Sequence, residues 1–297
     1  MVASSSFALG GCAETPTHPK TEDQARRVAP IPACIMYLPP KKTPNAFIRQ
    51  LREDQYWKLV FPSFDDQKME LATSANDCTG KPVLGDWQLK DADPIRGTPL
   101  KVQEGDIVYG AGGDRLKVVW LRSHKFSDGD YGGAIALVRT MDNFVEAYGV
   151  GVLRGRPERM RLQLERMGPE VIITATDEGC IGSDPLSPCE SRLQVFLPRH
   201  GRLMNIADIP LERRAFATSS ELGMKGRIEY RMTTAPEFKG GTIKLFEQVL
   251  VRDDRGRELR KAELFRVFSL QDDGQMTSSE TSLWPRIYSP DKPKNKK

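Results

Sequence analysis

The sequence predicts a mainly β protein: an antiparallel meander forming a barrel-like or sandwich domain, preceded by an irregular segment with a short N-terminal helix. Three observations carry this expectation. After Asp114 apolar and polar residues alternate again and again, as in G-R-I-E-Y-R-M, where Ile228, Tyr230 and Met232 alternate with Arg227, Glu229 and Arg231; a two-residue period marks strands buried on one face. Turn signals separate these runs: D-G at 128, M-G-P-E at 167, H-G at 200, K-G-G at 239, D-D-R-G at 253 and D-D-G at 272. The spacers are too short for the helical crossovers that parallel strands need, so the order implies hairpins.

Residues Val2 to Gly11 are small and apolar with no charge, and Leu9-Gly10-Gly11 leads into Cys12. Leucine, two small residues and a cysteine resemble the lipobox of bacterial lipoproteins. In that family the signal peptidase cuts before the cysteine, whose sulfur carries a diacylglycerol and whose new amino group is often acylated. The resemblance implies that 1–11 is part of a signal peptide, that Cys12 is the site of lipid attachment, and that the mature chain begins there. Ala13 after the cysteine, in place of Asp, implies by the same resemblance the outer membrane. Residues 12–32 are rich in Thr, Pro and charge, a composition that cannot bury a core and reads as a flexible tether. The competing reading is a chance L-G-G-C in a disordered leader.

Setting Cys12 aside leaves Cys34, Cys78, Cys180 and Cys189, an even number in a chain expected to be exported. In C-I-G-S-D-P-L-S-P-C the glycine and two prolines are turn formers, which makes Cys180 with Cys189 the natural short pair. Cys34 and Cys78 then pair across the N-terminal segment. Four reduced thiols in a cytosolic protein are the alternative. Neither C-x-x-C spacing nor a nearby histidine pair occurs, so no metal and no cofactor is expected.

The segment 33–113 is irregular. Thr43-Pro44 suits the start of a helix, since Thr can cap and Pro fits the first turn, with Phe47, Ile48 and Leu51 on one face. The segment from 65 to 113 is turn-rich. The antiparallel β domain is expected over 114–288 as about nine strands, beginning near residues 116, 134, 144, 160, 171, 193, 227, 242 and 258. Residues 289–297 form a basic tail.

Composition narrows the function. The net charge is +4, but Lys292, Lys294, Lys296 and Lys297 supply all of it, leaving 40 positive and 40 negative residues in the body. A neutral body is a poor nucleic-acid binder. No apolar run approaches the roughly 18 residues of a membrane-spanning helix. The run R-G-R-P-E-R-M-R, Arg154 to Arg161, reads as a turn followed by the solvent face of a strand, because no aromatic residues interleave.

No G-x-S-x-G, H-E-x-x-H, S-x-x-K or G-x-x-x-x-G-K-[ST] is present. The weak polar candidates are His124 in W-L-R-S-H-K-F and Asp128 and Asp130 in F-S-D-G-D-Y-G-G. The two aspartates open like a calcium loop but lack its third oxygen ligand and closing Glu, so a hairpin turn is the better reading. Y-G-A-G-G-D at 109 likewise reads as a β-turn rather than a phosphate cradle. Trp57, Trp87, Trp120 and Trp284 could line a sugar or lipid site, with core packing the default.

From Asp114 onward the chain resembles β-rich envelope lipoproteins of Gram-negative bacteria. The expected function is a non-enzymatic binding or assembly module of the cell envelope, held at the outer membrane through Cys12. It would present a sheet face or loops to a partner protein, glycan or lipid. The alternative is a secreted hydrolase acting on an envelope or extracellular polymer through a carboxylate pair that the sequence does not single out.

Overall fold

The computed structural model describes residues 34–38, 51–71, 76–78, 80–83, 94–96, 101–102, 104–110, 115–141, 143–179, 187–218, 226–271 and 274–288. They fall in one unit, Ile31–Lys297. Its strands are β1 (Cys34–Tyr37), β2 (Pro94–Arg96), β3 (Ile107–Tyr109), β4 (Leu116–Phe126), β5 (Tyr131–Thr140), β6 (Phe144–Gly155), β7 (Met160–Met167), β8 (Glu170–Asp177), β9 (Cys189–Arg199), β10 (Arg202–Thr218), β11 (Arg227–Lys239), β12 (Thr242–Arg252), β13 (Glu258–Leu270) and β14 (Met276–Ser278), with helices α1 (Glu53–Val60) and α2 (Trp284–Ile287).

All the strands join one 14-stranded sheet that does not close on itself, so of the two expected architectures the molecule adopts the sandwich-like one. Every named pairing is antiparallel except a single parallel contact, Arg202 of β10 beside Val150 of β6. That contact makes the sheet mixed. β10 is the strand where the sheet branches: it pairs with β9 along most of its length, with β11 over its last residues, and with β6 at its first. The branch folds the sheet into stacked layers.

The first layer, β4–β5–β6, is covered on both faces. On one side Val119, Leu121, Ala134, Ala136, Val138 and Val145 pack against Leu51, α1 and Cys34. On the other, Val118, Trp120, Ile135 and Leu137 meet Leu162 of β7, Ile173 of β8 and Phe196 of β9. The far side of β8–β9–β10 then packs on β12 through Ile243 and Leu245. Full burial of each such side chain stabilises by about 1.5–3 kcal/mol.

Helix α1 forms where the sequence lacks an obvious cap. The Gln55 side chain accepts from the Arg52 backbone N–H at 2.8 Å, and Glu53 and Asp54 place negative charge in the first turn, where the helix dipole favours it. Tyr56, Trp57, Leu59 and Val60 form its buried stripe, and Pro62 ends it by excluding helical backbone at Phe61. Thr43, Pro44, Phe47 and Ile48, the expected helix start, lie outside the described residues.

The largest strand not anticipated is β10, R-L-M-N-I-A-D-I-P-L-E-R-R-A-F-A-T. Its register against β9 shifts between Asn205 and Ala207 and again between Pro210 and Glu212. Each bulge adds a residue and slips the alternation, and Pro210 sits beside the second, where a strand tolerates a missing donor. The β9–β10 turn is His200-Gly201, both at positive φ (49° and 77°), as a tight two-residue hairpin requires. Gly133 is obligatory for a different reason: a Cβ there would overlap the Leu121 carbonyl of the neighbouring strand.

Candidate functional site

The cysteines come first, because they bear on compartment. Cys34 and Cys78 are disulfide-bonded with Cα atoms 5.3 Å apart, and Cys34 sits in the core beneath the β5–β6 face. The bond ties β1, which pairs with β6, to the loop carrying Asp77. Asp77 in turn pairs with Arg202 at the start of β10, at 2.7 Å. Cys189 is also disulfide-bonded. Its expected partner Cys180, like Cys12, lies outside the described residues.

The polar candidates lie at one end of the β4–β5 hairpin. Asp128 and Asp130 occupy the turn, closed by the Phe126 N–H donating to the Asp130 carbonyl at 2.8 Å. Arg154 on β6 reaches both carboxylates, donating to Asp130 at 3.0 Å and to Asp128 at closer range. Arg156 donates to the Asp128 carbonyl oxygen at 2.6 Å and lies 3.5 Å from the Asp130 carboxylate. Partial burial pushes the Asp128 carboxyl up, but the Asp130 amide with Arg154 and Arg156 outweighs it and holds the group below the usual aspartate range. His124 lies in β4 opposite Gly132, its Nδ1 2.8 Å from the Ser123 hydroxyl. The two aspartates are thus brought together as an arginine-clamped turn, and among the described residues no group of three metal-binding side chains forms.

The arginine run supplies that clamp. Arg154 and Arg156 serve the hairpin, Arg159 pairs with Asp177 at 3.0 Å, and Arg161 lies 3.7 Å from Glu178. The segment is a turn followed by the exposed positions of β7. Trp57 and Trp120 are core residues, Trp284 packs on Tyr230 and Val251 in a cluster under β11 and β12, and Trp87 lies outside the described residues. His18 and residues 111–114 of the glycine-rich stretch also lie outside them.

Two features escaped the sequence reading. One is a buried clamp. Glu247, fully buried, accepts from Arg266 Nη1 at 3.0 Å, from the Ser282 hydroxyl at 2.7 Å and from the Leu283 amide at 2.6 Å. Arg266 also donates to the Glu280 carbonyl at 3.0 Å. These bonds pin residues 280–283 across the covered face of β12 and β13 and lead α2 to its seat. The signal was present: in L-F-E-Q-V-L-V, Glu247 takes the parity of Leu245, Val249 and Val251, an acid in the inward register.

The other is the outer face of β11–β12–β13. Residues of β12 alternate strictly, with Ile243, Leu245, Glu247, Val249 and Val251 buried and Lys244, Phe246, Gln248 and Leu250 turned the other way. Phe246 stands opposite Phe265 of β13 on that outward side, ring centroids 4.9 Å apart, and Phe265 is 73% exposed. Ala235 of β11 stands on the other side of Phe246, and the cross-strand pairs Lys244–Val267 and Gln248–Glu263 flank the rings. Among the described residues no buried cluster forms on this side. An apolar centre in a mixed-charge rim is the composition of a surface that docks on something. It offers contact and orientation rather than proton transfer.

No known protein family, curated protein or solved structure matches the chain.

Proposed function

We propose that this chain is an exported cell-envelope lipoprotein, anchored at the outer membrane through Cys12, whose β domain is a non-enzymatic binding or assembly module. The address is supported by the lipobox resemblance and by the bonded cysteines. Disulfides persist in oxidising compartments, and the Cys34–Cys78 bond staples the N-terminal segment to the sheet. The module is carried by one observation, the outer face of β11–β13 with its Phe246–Phe265 pair, on which no buried cluster forms among the described residues. Its partner would be an envelope protein, glycan or lipid; more than one acyl chain at Cys12 would hold the domain beside it, since a single chain anchors marginally.

The test of the anchor is Cys12→Ser in the full-length gene. Lipid labelling is expected to vanish and the protein to leave the membrane fraction. Unchanged membrane fractionation overturns the reading.

A further inference from the structure

We propose that the free edge of β13 pairs with β13 of a second copy, so that two sheets join into one across a two-fold axis. This deepens the assembly reading above and rests on it. Among the described residues the outer edge of β13 is paired by β14 from Phe268 to Leu270 and hydrogen-bonded by Ser279 at Val267, and the edge of Glu258 to Arg266 carries no strand. A sheet edge is a row of backbone donors and acceptors that an added strand satisfies.

The sequence of that edge, E-L-R-K-A-E-L-F-R, is complementary to its own reverse. In an antiparallel pair centred on Ala262, Leu259 stands opposite Phe265 of the second copy and Lys261 opposite its Glu263, and each contact occurs twice by symmetry. Lys261, Glu263 and Phe265 share one parity and point to the outer face, while Leu259 is the extra residue of the bulge between Glu258 and Arg260. Leu259 and Phe265 are both exposed, and the Lys261 and Glu263 side chains are about half exposed, so the contacts need no repacking. Within one copy Lys261 already lies 2.7 Å from Glu263; the second copy completes a square of alternating charge.

Register decides between this pairing and its neighbours. The nearest registers that keep the outward faces together are centred on Lys261 or on Glu263. The first sets lysine opposite lysine and the second glutamate opposite glutamate, and like charges directly opposed destabilise a strand pair. Only the pairing centred on Ala262 brings apolar to apolar and cation to anion. Two copies anchored in the same membrane would meet at raised effective concentration, which favours a contact limited to one strand.

The experiment measures the mass of the full chain by light scattering, together with cross-linking of single-cysteine additions. The wild type is expected to form dimers. Lys261→Glu and Glu263→Lys each set like charges opposite one another and should return the chain to monomers, whereas the double reversal restores the cation–anion pairs and the dimer. That rescue also shows that neither reversal acts by unfolding. Ala262→Cys should form a disulfide with itself across the axis, mapped by mass spectrometry to residue 262 on both sides. Leu259→Cys, facing Phe265 instead, should not. A wild type that stays monomeric, a dimer indifferent to the single reversals, self-linking at 259 in place of 262, or a foreign strand on this edge of a monomeric chain each overturns the proposal. None of these outcomes bears on the anchor, which the Cys12 fractionation tests separately.

Discussion

The layer β4–β6 and the layer β11–β13 are built from strands of similar length, yet one is enclosed and the other half bare. In β4 the run Lys117 to Ser123 is buried without a break, and in β5 the run Gly132 to Val138 is too, because α1 and β1 cover one face and β7–β9 the other. In β12 burial alternates residue by residue, and in β11 the last positions are half exposed or fully so. The sequences differ in the same way. V-V-W-L and A-I-A-L-V are continuous apolar runs, whereas R-I-E-Y-R-M alternates. A strand buried on both faces has no solvent side to make polar, so continuity reports two neighbours and alternation reports one. The enclosed layer is where the chain is stapled, and the half-bare layer is where it has surface left to give.

The largest effect that can sharpen this contrast is removal of the Cys34–Cys78 bond. The cysteines are 44 residues apart, and on the chain-entropy account a loop of that size restricts the unfolded chain by about 4 kcal/mol. The variant Cys34→Ser/Cys78→Ser should lose that amount in urea unfolding, with α1 the first element to open. A loss below about 1 kcal/mol would mean that packing alone holds the cover on β5 and β6.

How far the sequence could show all this follows from the same physics. β11, β12 and most of β13 were legible because each has a single buried face and no irregularity. The hairpin turns were legible because glycine and aspartate mark them. β10 was not, since two bulges and Pro210 break its period, and β1, β2, β3 and β14 are too short to show one. The aspartates at 128 and 130 were recognisable as a turn, but the arginines that hold them come from β6, and such a pairing across strands has no sequence spacing. The aromatic pair was hidden for a related reason: Phe246 and Phe265 are neighbours only through the β12–β13 register. That each faces outward became visible only once Leu245 and Phe268 were seen to face inward.

A second perturbation tests whether the half-bare layer depends on its own fastener. Glu247→Ala strands the buried Arg266 guanidinium and frees residues 280–283. Breaking a buried pair costs about 3–5 kcal/mol, and about 3 kcal/mol is expected here because the released segment lets water reach Arg266. Limited trypsin digestion should then cut at Arg286 faster than in the wild type. Replacing both partners by apolar residues, Glu247→Leu with Arg266→Met, should recover most of the loss in urea unfolding, because no unpaired charge remains. If the single and double variants are equally unstable, the strap depends on Ser282 and Leu283 reaching an acceptor rather than on the charge pair.

The smallest effect belongs to the outer face itself. Phe265 is 73% exposed and its principal neighbour is the Phe246 ring, so Phe265→Ala removes little area that folding had hidden from water. Its cost to the isolated chain is expected to stay within about 0.5 kcal/mol in urea unfolding, as for surface substitutions generally. The same substitution deletes two of the apolar contacts across the proposed β13 axis and should therefore lower the dimer fraction at a fixed concentration. Separating the two readouts is what gives the variant its value: an aromatic side chain that contributes almost nothing to the fold but matters to association is present for its surface. Were Phe265→Ala instead to destabilise the monomer by more than about 1 kcal/mol, the outer face would be a second covered face, and the distinction between the two layers would fail at the residue chosen to represent it.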